Sequence, residues 1–307
     1  MKRIIAIICL ALILVACGKK TEPDFVDTTV VCTDETGTAV SLPVKPQNVA
    51  VLFSSFADIW VTAGGEVTIT VGETVERGFA DENAILVDGG AGKNIDNETL
   101  IAASPDIVIC SADIEAQLDT VEICRDAGIP AVALRVEGFE DYLEVLKLFT
   151  TLTGCDENYE TYGADIKEEI DGLTSYKSDA EILFIRAGSS ARATKAKVAD
   201  DHFAAAMLKE LGTYNIAEKA PVLLDGLSFE EIIVSDPEHI FVTTMGDEDA
   251  AKEYMNSLLE TAEWSSLSAV KNGNVHFLPK ELFQYKPNAR WAEAYRYLID
   301  ILEGEAK

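Results

Sequence analysis

"FEEIIVSDPEHIFV", residues 229–242, has a counterpart earlier in the chain in "NETLIAASPDIVI", residues 97–109. In each, a glutamate (Glu98, Glu230) stands seven residues before a proline (Pro105, Pro237), with helix-like apolar residues between them and an apolar run after. Proline cannot continue a helix, so each copy reads as a helix, a turn and a strand. A unit of this kind that occurs twice predicts two copies of one α/β lobe. Glu98 and Glu230 then hold equivalent places in the first turns of matching helices, where the helix dipole favours a carboxylate whether or not it has a further role.

The surrounding sequence extends both copies. "NVAVLF" (48–53), "VTITV" (67–71), "DIVICS" (106–111) and "AVAL" (131–134) are strand-like, and helical stretches such as "IEAQLDTVEICRDAG" (114–128) separate them. The same order restarts at "EILFIRAG" (181–188), passes through "HIFVTT" (239–244) and "VHFLP" (275–279), and ends in a helix over 288–302. Such alternation predicts βαβ units and mainly parallel sheets. Between the two halves, Tyr159, Tyr162, Ile166, Ile170 and Leu173 recur at three- and four-residue steps opposite a face of acids and Lys167. That stripe predicts one long helix joining the lobes, although Gly163 and Gly172 weaken it. The expected divisions are an N-terminal lobe over 38–154, a linking helix over 155–178 and a C-terminal lobe over 179–307.

Residues 1–16 read as a signal peptide: Lys2 and Arg3 precede an apolar run too short to remain as a membrane span. The run ends in Leu14-Val15-Ala16-Cys17-Gly18, which resembles a bacterial lipobox, so that Cys17 takes the lipid that holds the protein to the bilayer. Residues 17–37 are then expected as a tether. With 53 Asp+Glu against 25 Lys+Arg and a net charge of -28, nucleic acid is excluded as a partner, because the protein has no counterion-release gain to offer phosphates. Cys32, Cys110, Cys124 and Cys155 form no CxxC pair and have no histidine at ligand spacing, which argues against a zinc site.

Six stretches, "VSLPVKPQNVAVLFSSFADIWVTAGGE", "NETLIAASPDIVI", "AGIPAVAL", "LKELGTYNIAE", "LSFEEIIVSDPEHIFV" and "WSSLSAVKNGNVHFLP", occur in an order and spacing similar to those of the helical-backbone substrate-binding proteins of ABC importers, the group serving ferric siderophores, haem and vitamin B12. The resemblance spans about residues 38–303. It implies two Rossmann-like lobes bridged by one long helix and a ligand held between them. It also implies one glutamate per lobe, here Glu98 and Glu230, docking onto a dimeric membrane permease with cytoplasmic ATPase subunits behind it. No catalysis and no resident cofactor are implied, and the cargo would be an iron chelate, haem or a corrinoid.

In open α/β lobes ligands sit beyond the carboxyl ends of the strands. Those positions supply Ser54, Ser55, Phe56 and Trp60; Arg186, Ser189, Ser190 and Arg192; Met245; and Tyr285 with Lys286. "RAGSSARATKAK" (186–197) is a basic island in an acidic chain, and its two arginines are expected to face the cleft as donors to anionic oxygens; Lys195 and Lys197 read as solvated loop charges. "DGGAGKN" (88–94) lacks the residues of a phosphate-binding loop and is expected at the cleft rim. Tyr285 is either an axial group for haem iron or a stacking surface. Two alternatives remain beside this reading. A carrier of bare zinc or manganese would need converging histidines, and His202, His239 and His276 are scattered; an extracellular α/β enzyme would need a nucleophile or metal motif, and GxSxG and HExxH are absent.

Overall fold

The computed structural model describes residues 29–88 and 94–304; the expected signal peptide, Cys17 and the centre of the 88–94 loop lie outside them. The N-terminal half runs β1 (Thr29–Thr33), β2 (Ala39–Pro43), β3 (Val49–Val51), α1 (Ser54–Thr62), β4 (Ile69–Thr70), α2 (Gly72–Glu76), β5 (Ile85–Leu86), α3 (Asn97–Ala102), β6 (Ile107–Ser111), α4 (Glu115–Asp126), β7 (Ala131–Leu134) and α5 (Phe139–Thr153). A helical rod follows, α6 (Asp156–Tyr159) and α7 (Asp165–Leu173). The second half runs β8 (Glu181–Ala187), β9 (Lys195–Ala196), α8 (Phe203–Glu210), β10 (Tyr214–Asn215), α9 (Val222–Asp225), α10 (Phe229–Ser235), β11 (His239–Thr244), α11 (Glu248–Leu259), α12 (Ser268–Asn272), β12 (Val275–Phe277), α13 (Lys280–Phe283) and α14 (Trp291–Leu302).

Two five-stranded sheets result. One has the order β5-β4-β3-β6-β7 and is wholly parallel. The other has the order β10-β8-β11-β12, also parallel, with β9 turned back antiparallel on β8. β6 and β7 are buried at every position, as expected of parallel strands covered by helices on both faces. The α/β fold with two mainly parallel sheets is therefore the one the alternation predicts.

The repeat extends to the backbone. In each lobe the strand after the repeated helix pairs with the first strand of that lobe's five-stranded sheet, β6 with β3 and β11 with β8. Ser104 (φ 52°) and Asp236 (φ 43°) are both left-handed and lie directly before Pro105 and Pro237, which disfavour a helical predecessor. The acid after each proline accepts from the backbone at the start of the first strand: Asn48 N–H donates to Asp106 at 2.9 Å, and Glu181 N–H to Glu238 at 3.1 Å. Both acids return a backbone bond, to Asn48 O at 2.7 Å and Glu181 O at 2.8 Å.

The rod is helical from Asp156 to Leu173 but contains a π turn at Glu160–Ala164. There the Tyr142 hydroxyl donates to Tyr162 O at 2.8 Å. Gly163 allows this close approach, since a Cβ would stand 3.1 Å from Leu143 and 3.3 Å from Leu146. Apolar residues gather in three clusters: one on the outer side of each sheet and one continuous through both halves, holding Val51, Phe149, Ile182, Phe241 and Trp291 together.

The tether expected over 17–37 needs correction, because from Thr29 onward the chain is β1 of a hairpin with β2. Asp34 at its turn ties the hairpin to the first lobe. Its carboxylate accepts from Arg125 at 2.6 Å, from Ala133 N–H at 2.9 Å and from the Thr36 hydroxyl at 2.6 Å, with its own side chain fully buried. Burial opposes its charge, yet the bonds from Thr36, Ala133 and Arg125 together hold the carboxyl below its usual range. A depressed carboxyl stabilises the fold above its unfolded value, near pH 4, and that contribution fades as pH falls through the folded value. Asp34→Asn leaves Arg125 without its buried partner and should cost about 3–5 kcal/mol at pH 7 in urea unfolding, with a smaller difference at acid pH. A loss under about 0.5 kcal/mol would show that the pair does not anchor the hairpin.

Candidate ligand-binding cleft

The segment that shapes the cleft is residues 284–290, between α13 and α14. It leaves the second lobe and crosses to the first. Asn288, fully buried at φ 50°, donates through Nδ2 to Ser55 O at 2.9 Å and to Asp58 at 2.8 Å. Lys286 Nζ donates to Glu137 O at 3.3 Å and stands 4.7 Å from the centre of the Phe203 ring. From the first lobe, Arg77 donates to the Ser54 hydroxyl at 2.8 Å, and its guanidinium lies 3.9 Å from the centre of the Tyr285 ring.

On either side of this strap lies a cavity lined by both lobes. One, of about 750 Å³, is bounded by Asp113 and Glu137 from the first lobe and by Arg186, His202, Thr244 and Met245 from the second. The other, of about 730 Å³, is bounded by Asp58, Arg77 and Phe79 on one side and Lys280, Tyr285 and Arg290 on the other. Lys286 lines both, and also a void of about 50 Å³ over Ser55, Phe56 and Ser111. A further hollow of about 610 Å³ lies at the joint, among the start of α5, α7, α8 and α14. It lacks the strand ends that place ligands in such folds.

The cleft is electrostatically unusual for so acidic a chain. Among the described residues Arg77, Arg186, Lys280 and Lys286 make no ion pair, whereas Arg290 pairs with Glu293 at 2.7 Å. Arg186 is the penultimate residue of β8, and its Nε is buried without a hydrogen-bond partner. Burial lowers the Lys286 pKa, against the pull of Asp113, Glu137 and Asp141. Burial likewise pushes His202 down to about 3, helped by the positive field of Lys286, Arg186 and Lys197, so that this ring is neutral. Asp58 is raised by burial despite Asn288, Arg77 and Arg290. A guanidinium without an ion pair beside a cavity is suited to receiving anionic oxygen from a ligand.

The structure places Arg186 and Met245 on the first cavity, Tyr285 on the second and Lys286 on both, while Ser55 reaches only the small void and Ser54 is held by Arg77 and Glu73. It does not bring in the rest. Trp60 points into the core, packing edge-on to Phe149 at 5.2 Å and donating to Glu66 O at 3.0 Å. Five residues along α1 from Ser55, Trp60 is rotated by about 140° from the face that carries that serine. Phe56 is buried in the same core and touches only the small void. Ser189, Ser190 and Arg192 are exposed and line neither large cavity, because the chain reverses after β8 into β9 and carries the loop past the cleft. Lys197 of the basic island pairs with Asp201 at 3.1 Å. Sequence reasoning missed Arg77, Asp58, Lys280 and Asn288. Reading beyond the end of β4 as well as β3 would have reached Arg77.

His239 and His276, scattered in sequence, meet on neighbouring strands with ring nitrogens 3.1 Å apart, while His202 packs on Phe184 and Phe203 elsewhere. Among the described residues no group of three or more His, Cys, Asp or Glu is arranged to hold a metal ion. Glu98 and Glu230 are exposed in the first turns of α3 and α10.

Several solved structures share this arrangement. Staphylococcus aureus SirA complexed with staphyloferrin B is 18% identical with a TM-score of 0.66, covering 90% of this chain and 98% of that one. The catecholate-siderophore-binding protein VctP of Vibrio cholerae is 17% identical with a TM-score of 0.69, covering 90% and 99%. The haem-binding protein RhuT of Roseiflexus sp. RS-1 is 17% identical with a TM-score of 0.66, covering 85% and 99%. At such identities the likeness is one of fold. Among curated proteins none matches the sequence. The periplasmic binding protein family model matches residues 49–282, from β3 into α13, and the chain belongs to that family of extracytoplasmic substrate-binding proteins.

Proposed function

We propose that this protein is a lipid-anchored binding protein that captures an anionic iron chelate or haem between its lobes and delivers it to an ABC importer permease. The observation that carries the reading is Arg186: a guanidinium at a strand end, without an ion pair among the described residues, beside a cavity of about 750 Å³. Leaving such a group unpaired is costly in the free protein, and an anionic ligand group removes that cost. Solved structures of similar fold include proteins described as binding staphyloferrin B, catecholate siderophores and haem, which favours the same cargo class here. A corrinoid, with neutral amide arms, makes less use of the cations. His239 and His276 meet without a third metal-ligating side chain among the described residues, which speaks against bare zinc or manganese.

The anchor would be Cys17, and delivery would use Glu98 and Glu230. Their equivalence across an internal repeat suits a permease with two-fold symmetry, each lobe offering one carboxylate to one half. The lobe boundaries near 154 and 179 flank the rod, which favours a small closure over a wide hinge.

Tryptophan-fluorescence titration with iron(III) catecholate, iron(III) citrate and haemin tests the cargo class. Arg186→Ala should weaken the bound chelate by about 1.5–3 kcal/mol, the scale of a charged hydrogen bond; unchanged affinity would remove Arg186 from the site. Reversing both Glu98 and Glu230 to Lys should abolish uptake of the labelled chelate by cells while leaving its affinity for the purified protein as it was. Normal uptake by the double variant would refute the docking assignment.

A further inference from the structure

The two copies of the repeated helix agree on their buried sides and differ on their exposed ones. Aligned on Glu98 and Glu230, α3 buries Leu100 and α10 buries Ile232, both fully. Three and four residues beyond the glutamate lie positions on the same side of the helix as the glutamate itself. There α3 carries half-buried Ile101 and exposed Ala102, whereas α10 carries Ile233 and Val234. Ile233 is 45% exposed and Val234 83%, the highest value among the exposed large apolar residues described.

The folding of α10 gives no reason for this ridge. Ile232 already supplies the core contact, and an alanine at 234, as at 102 in the other copy, would favour the helix more than a β-branched residue does. Glu230 and Glu231 are exposed on the same helix, and α10 carries no base. Acids beside the ridge oppose contact with a bilayer, whose surface attracts basic segments, and two side chains insert little apolar area into it. Two side chains are likewise far short of the roughly 800 Å² per partner that a stable dimer of this chain would bury. A ridge this small serves as one contact within a wider interface, and the interface proposed for this helix is the one through Glu230.

Resting on the docking role proposed above for Glu98 and Glu230, we propose that the lobes meet the permease unequally: each offers a carboxylate, and the second lobe adds an apolar ridge, Ile233 with Val234, that enters an apolar recess beside the group receiving Glu230. A two-fold symmetric permease carries that recess twice, and only the copy facing α10 is filled, because Ala102 is too short to enter the other. The second lobe then contributes the larger share of the docking affinity.

The test supplies each variant to cells lacking the native copy and measures uptake of radiolabelled iron(III) tris-catecholate, iron(III) citrate and haemin. Affinity for the same probes is followed by tryptophan fluorescence and folding by thermal melting. Ile233→Ser combined with Val234→Ser should lower uptake about tenfold or more, since losing even half the burial of two aliphatic side chains exceeds the free energy of one decade. Val234→Ala, which copies the first lobe, should give a smaller loss. Val31→Ser, at a residue 67% exposed on the β1–β2 hairpin, should leave uptake within twofold of the wild type. Probe affinity and melting should be unchanged throughout, which separates lost docking from lost binding or lost fold. In the same cells a benzophenone side chain at position 234 should crosslink to the permease; crosslinks to lipid alone or to a second copy of this chain overturn the inference. Uptake by the double serine variant within twofold of the wild type, while reversal of Glu98 and Glu230 still abolishes it, removes the ridge and leaves the docking reading in place. Normal uptake by the reversed glutamates removes the docking reading and the inference with it. Should the wild type take up none of the three probes, the functional reading itself falls.

Discussion

The continuous apolar core through the joint is the constraint on which the rest depends. Trp291, at the start of the last helix, is buried with Phe139 of α5 standing edge-on at 6.1 Å and Phe203 of α8 at 5.4 Å. It thereby packs one element of each lobe onto the C-terminal helix. Close packing of this kind has few alternative arrangements, so the two sheets are held at a defined separation. Residues 284–290 lead into this helix, and their path across the cleft is set by where Trp291 must sit. The cavities on either side of the strap are a consequence of that anchoring.

Charge in the cleft follows from the same geometry. A chain with twice as many acids as bases could neutralise every cation it carries. Instead Arg186 and Lys286 are positioned by β8 and by the strap, both of which answer to packing and backbone pairing, and among the described residues neither makes an ion pair although carboxylates line the same cavity. Lys286 keeps its place through a backbone carbonyl and an aromatic face, which satisfy it without cancelling its charge. His202, buried beside these cations, stays neutral and adds no further repulsion. Cations without ion pairs among the described residues thus share the cleft with the carboxylates that line it. Such an arrangement favours ligands able to displace water and complete several bonds at once.

Much of the fold could be read in advance, for reasons tied to particular residues. The strands are short β-branched runs bounded by turn residues, and the rod's stripe of Tyr159, Ile166 and Ile170 follows the helical period. The repeated Glu…Pro unit was the most informative feature, because left-handed Ser104 and Asp236, each preceding a proline, leave the backbone little choice. The π turn of the rod was not legible. It depends on the Tyr142 hydroxyl and on the flat face of Gly163 against α5, both of them contacts between residues distant in sequence. Trp60 and Arg192 were misplaced for a similar reason, since being near a strand end in sequence does not say which way a helix turns or whether a loop folds back.

The amino-acid sequence by itself determined the α/β class, the two halves, the linking helix and the equivalence of Glu98 and Glu230. These rest on periodicity, proline placement and composition, which act over a few residues. Only the tertiary structure decided that Arg77 faces Tyr285, that Asn288 reaches Ser55 and Asp58, and that Lys286 divides the space between the lobes. Those pairings join residues more than two hundred positions apart. Their partners are chosen by how the shared core brings the two sheets together, and no local pattern carries that information.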